Sequence, residues 1–163
     1  QILNDSSLGD QAERADKLFS AQEKYFEVAA GPGQRYAVQA LRRMQQMTPA
    51  AFNQAQGEFD SRVIAGIATI YPEKAAYVGS EALRALAAKG RGISDEIGLT
   101  SEAGIVLIIG MMYGFGHGVV WDPLYPWVGG TLFDVQQPDP NERAKRLYQK
   151  LKLYVDRMIQ TLG

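Results

Sequence analysis

Residues 103–121 (AGIVLIIGMMYGFGHGVVW) form a run of nineteen residues with no charge unless His117, the chain's only histidine, is protonated. A helix that is apolar on every side has to be covered on every side, by lipid or by other helices. The run is long enough to be weighed as a membrane span. Three features argue for protein as its cover. Its five glycines lower helix propensity. Asp122-Pro123 closes it abruptly, and the next cation downstream is Arg143, so that side has no positive flank. Amphipathic stretches elsewhere in the chain also need an apolar partner. The expectation is a soluble bundle built around this segment, with no membrane span. Gly110, Gly114 and Gly118, four apart, make a small-xxx-small face for close approach by a neighbouring helix, or for a homodimer seam.

The rest of the chain has helical periodicity, and no stretch alternates convincingly with period two. Ala15, Leu18, Phe19, Tyr25, Phe26 and Ala29 recur at three- and four-residue spacing until Gly31-Pro32-Gly33. Ala37, Ala40, Leu41, Met44 and Met47 mark a second helix. Thr48-Pro49 reads as an N-cap followed by a first helical proline. The face that follows carries Phe52, Phe59, Val63, Ile67, Ile70 and Tyr71, up to Pro72. A fourth helix with Ala75, Val78, Ala82, Leu83 and Leu86 is expected to end at Lys89-Gly90, where glycine suits a left-handed C-cap. Residues 91–99 then form a connector with at most one helical turn.

Thr100 or Ser101 caps the central helix, placed over about 101–118, and a short helix over 126–133 folds back on it. Asp139 at N-cap, Pro140 at N1 and Glu142 at N3 announce the last helix, which reaches about Leu162. The predicted fold is all-α: a single domain, 1–163, of six or seven helices around a central apolar, glycine-containing helix.

Composition narrows the function by exclusion. Zero cysteines rule out a disulfide scaffold and thiolate metal sites. With a single histidine, no multi-histidine metal or catalytic site is available, and no metal or cofactor is expected. A net charge of −1 gives no general pull toward nucleic acid. Charge is nevertheless segregated. Residues 1–33 hold six acids against three bases, and residues 140–163 hold six bases against two acids. The basic stripe Arg143, Arg146, Lys150 and Arg157 reads as a solvated flank that faces the acidic first helix across the bundle. The chain opens on Gln1, glutamine is plentiful and lysine scarce. That composition suggests a processed bacterial envelope protein, periplasmic or secreted.

Candidate function concentrates in one region. Tyr113, Phe115, Trp121, Tyr125, Trp127 and Phe133, six aromatics including both tryptophans, fall within 21 residues. They either close the core or form a partly exposed patch for a partner or ligand. His117 has Asp122 five residues on, which would orient its imidazole, but no nucleophile motif accompanies the pair. Gly114-Phe115-Gly116-His117-Gly118 lacks both the spacing and the lysine of a phosphate loop.

The leading expectation is therefore a non-enzymatic helical protein-interaction module, an envelope-associated accessory or toxin-neutralising protein. Its binding residues would be Tyr113, Phe115, His117, Trp121, Asp122, Tyr125 and Trp127, and its partner another protein. The first alternative is an apolar-ligand or lipid binder lined by Met111, Met112, Phe115, Trp121 and Trp127. The second is an enzyme using His117.

Overall fold

A computed structural model describes residues 10–46, 48 and 57–162. Among these residues there are seven α-helices and no strand. They are α1 (Gln11–Tyr25), α2 (Arg35–Gln46), α3 (Phe59–Ile70), α4 (Pro72–Glu96), α5 (Glu102–Phe115), α6 (Pro126–Leu132) and α7 (Pro140–Leu162). The all-α reading therefore holds. Met47, Phe52 and the Thr48-Pro49 start lie outside, or partly outside, the described residues.

The core follows the helical periodicity. α3 buries Val63, Ile67 and Ile70, and α7 buries Ala144, Leu147, Leu151 and Val155. These are the three- and four-residue steps that put side chains on one face. α5 is buried around most of its circumference through Val106, Ile108, Ile109, Met111, Met112 and Tyr113. It packs chiefly on α4 and also on α7 and α3. No described helix is long and apolar enough to cross a membrane.

Caps and junctions explain where the helices stop. Ser101 caps α5, its hydroxyl accepting the Gly104 N–H at 3.3 Å. α5 ends at Phe115, earlier than the 118 expected, because Gly116 adopts φ +113°. Asp139 caps α7, its carboxylate accepting the Asn141 N–H at 2.9 Å. Glu142 does not complete the reciprocal box: it pairs with Lys145, and the Asp139 N–H goes to Gln137 Oε1. Asn141 ties the two helix starts together. Its Oδ1 accepts from the Ser101 N–H at 3.1 Å, and its Nδ2 donates to Thr100 Oγ1 at 2.9 Å.

Three sequence expectations need correcting. The fourth helix does not stop at Gly90. It continues to Glu96, so most of the expected 91–99 connector is helical, and Gly90 is a site of close contact. A Cβ there would lie 2.5 Å from Ile109 Cγ1 on α5. The break in α4 comes earlier, at Gly79 with φ +81°.

The glycine seam of α5 is also different. Gly118 lies beyond the helix end, Gly110 meets nothing within 4 Å, and Gly114 meets only Met44 Cε at 3.1 Å. Close approach to α5 is made at Gly104, where a Cβ would sit 3.4 Å from that of Ala144, and from the other side by Gly90.

The third concerns the surroundings of α1, which passes at Tyr25 into a π-turn (Phe26–Ala30) and stops at Gly31, as expected, before a 3-10 turn (Pro32–Gln34). α1 buries none of its residues, and Phe19 is 62% exposed. Among the described residues its contacts include those with the π-turn that continues it and, through the Tyr25 ring, with Tyr77 at 5.7 Å. α7 packs instead on α2, α6 and α5, so the expected pairing of the acidic first helix with the basic last one is not the organising contact.

Candidate functional site

The seven sequence candidates separate into three environments. Phe115, Tyr125 and Trp127 come together, joined by Tyr154 of α7. Ring centroids are 5.5 Å apart for Phe115–Tyr125, 5.7 Å for Phe115–Tyr154 and 5.4 Å for Trp127–Tyr154. These are edge-on or tilted pairs, the arrangement favoured by the ring quadrupole. α5 supplies Phe115 from its last turn, Tyr125-Pro126 opens α6, and α7 crosses beneath. The nest is half-buried and rests on the core through Val128 and Leu132. Burial raises the Tyr125 pKa above the ordinary phenol value, and Tyr154 and Asp122 add to the shift.

Outside this nest several large apolar side chains are exposed. Trp121 is 55%, Leu124 79% and Val135 92% exposed, and Phe133 is exposed with them. All four lie on the segments flanking α6. Between α6 and α7 a pocket of about 260 Å³ opens among Trp127, Lys150, Leu153, Tyr154 and Arg157. Two cations therefore rim an apolar floor. Lys150 Nζ donates to Thr131 Oγ1 at 2.7 Å, whereas no ion pair among the described residues holds Arg157.

Tyr113 is elsewhere. It is buried, its hydroxyl donating to the Tyr71 carbonyl at 2.7 Å, and Tyr71 in turn donates to the Ala29 carbonyl at 2.9 Å. This two-step chain ties α5 to the α3–α4 junction and on to the π-turn. Desolvation by burial raises both phenol pKa values strongly. Lys74 stands among these rings, with Nζ 5.2 Å from the Tyr113 centroid, 5.8 Å from Tyr25 and 5.9 Å from Tyr71.

His117 and Asp122 do not form the arrangement considered for catalysis. Asp122 is committed to a local turn, accepting the Leu124 N–H at 2.8 Å, and no hydrogen bond joins it to the imidazole. His117 is exposed. Partial desolvation, with Lys89 and Lys74 nearby, lowers its pKa below the ordinary imidazole value. The apolar pocket expected from Met111, Met112, Phe115, Trp121 and Trp127 is not assembled either. Met111 faces a groove with Met44, Leu107 and Leu151, Met112 lines a cleft with Lys74, and Trp127 belongs to the α6–α7 pocket. Among the described residues no group of three His, Asp or Glu side chains is placed to hold a metal.

Tyr154 and Lys74 join these sites without having stood out in the sequence. Tyr154 falls at a helical spacing from the buried Leu147 and Leu151 of α7, so its sequence position reads as ordinary helix face. Lys74 carried a faint signal: a lysine in the first turn of a helix opened by Pro72 opposes the helix dipole, so it needs another reason to be there. No family model, no curated protein and no solved structure matches this chain.

Proposed function

We propose that this protein is a non-enzymatic helical interaction module that binds another protein through the α6 edge. The observation that carries this reading is the set Trp121, Leu124, Phe133 and Val135, large apolar side chains left exposed on the segments flanking one short helix. Scattered exposed apolar residues are ordinary, but a concentration beside an aromatic nest is what interaction surfaces present. The pocket beside Trp127 adds chemistry to the surface: an apolar floor with Lys150 and Arg157 at its rim suits a side chain flanked by carboxylates. A bacterial envelope setting, as an accessory or toxin-neutralising protein, rests on composition and belongs to the same proposal.

Site-specific photo-crosslinking in the native cell tests it. A crosslinker at Leu124 or Val135 is expected to trap one discrete protein partner, and one at exposed Arg84 on α4 is expected to trap none. Equal, diffuse labelling from all three positions would remove the basis for the proposal.

A further inference from the structure

The chain's most deeply placed lysine opens onto a cleft that the protein-binding reading does not use. The cleft, of about 300 Å³, is bounded by Lys74, Val78, Ala82, Leu83, Leu86, Met112, Tyr113, Gly116 and His117. Its volume sits at the lower end of the ~300–1,000 Å³ common for small-molecule sites. One wall is aliphatic, from Val78, Leu83, Leu86 and Met112. The lining also includes two nitrogen groups, the Lys74 ammonium and the His117 imidazole.

Lys74 has no carboxylate within ion-pair distance among the described residues. Its charge is offset by the C-terminal end of α5, where Nζ donates to the Tyr113 carbonyl at 2.6 Å, and by the three tyrosine faces. Those interactions satisfy one N–H of three and leave an ammonium with donors to spare. Burial accordingly lowers the Lys74 pKa. The neighbouring carboxylate, Glu73, has Arg43 as its partner at 3.9 Å. Lys89 adds positive potential at His117. An under-paired cation in the lining of an aliphatic cleft calls for an anion with an apolar tail.

We propose that this cleft binds a medium-chain monocarboxylate, the carboxylate meeting Lys74 and His117 and the alkyl chain lying along Val78, Leu83, Leu86 and Met112. A carboxylate accepts charge-assisted hydrogen bonds from both groups, and its tail buries apolar surface on both sides. The site lies apart from the α6 edge, so it stands or falls independently of the protein-binding proposal.

Isothermal titration of the full chain with decanoate tests it, with decanol and decyltrimethylammonium as matched probes. Saturable decanoate binding at one site is expected, with each matched probe weaker by about tenfold or more because it forfeits the charged hydrogen bonds. Ala82→Phe places a ring at the cleft mouth from an exposed position of α4 and is expected to abolish binding while the fold persists. Lys74→Met is expected to weaken decanoate about tenfold or more and to leave decanol unchanged. If Lys74→Met does not fold, Ala82→Phe and His117→Ala decide the matter. No saturation by decanoate, equal binding of decanol, or full binding by folded Ala82→Phe would overturn the proposal.

Discussion

The tyrosines around Lys74 make a titration that stability can report. Tyr71 and Tyr113 are hydrogen-bonded, and burial raises their pKa values strongly, with Tyr25 and Tyr125 shifted in the same direction. In the unfolded chain these phenols ionise near pH ~10, whereas in the folded chain they hold their protons longer. The folded state therefore binds more protons above that pH, and stability falls as pH rises through it. Lys74 works in the opposite sense, since its lowered pKa means that the folded state releases its proton first. Two strongly shifted phenols outweigh one lysine. Phenolate absorbance is expected to show the buried Tyr71 and Tyr113 ionising only as helical circular dichroism is lost. A Tyr71→Phe/Tyr113→Phe double variant should show a shallower alkaline loss of stability. Full phenolate titration with unchanged helicity would contradict this account. At this scale the sequence was partly legible. Asp139 acts as a cap, as its Asp-Pro-Asn-Glu pattern announced. Nothing local distinguished buried Tyr113 from half-buried Tyr125, because that difference depends on which helix crosses above each ring.

Helix starts were easier to read than helix ends. Ser101, Pro126 and Asp139-Pro140 mark starts through local chemistry that the sequence displays. The end of α4 was misplaced because glycine has two uses: a left-handed C-cap, or room for another backbone. Gly90 has the second use and Gly79 and Gly98, both at positive φ, are closer to the first. The two uses predict different mutational costs. At an ordinary exposed helix position Gly→Ala stabilises by roughly 0.5–1 kcal/mol. At Gly90 the new methyl meets Ile109, a fully buried β-branched residue with little rotamer freedom. Gly90→Ala is therefore expected to destabilise by about 1–3 kcal/mol, the range for overpacking a core. Chemical denaturation measures it, and an increase in stability would show that α4 and α5 do not approach so closely. α1 shows the converse limit of periodicity. Its spacing gives a real apolar face, but spacing alone does not say whether anything covers that face, and Leu18 and Phe19 are exposed.

Across the whole molecule, packing and recognition occupy different places. The core runs through α3, α4, α5 and α7, with Ile67, Ile108, Ile109 and Leu147 fully buried. The α6 edge sits on that core through Val128 and Leu132 and presents large apolar side chains outward. The aromatic region 113–133 was legible as a concentration of rings but not as a division between plug and patch. Trp121 and Leu124 are exposed, Tyr113 belongs to the core, and Phe115, Tyr125 and Trp127 are half-buried between them. The most direct measurement is a paired one on a Leu124→Asp variant, at a position 79% exposed: thermal melting, and crosslinking yield from Val135 in the native cell. Surface changes that touch no packing fall within about ±0.5 kcal/mol, and 1 kcal/mol corresponds to about 2–4 °C in a chain of this size. A melting temperature within about 2 °C of the parent and a lost crosslink are expected. A melting temperature lower by about 5 °C or more, or an undiminished crosslink, would contradict the protein-binding reading of the α6 edge.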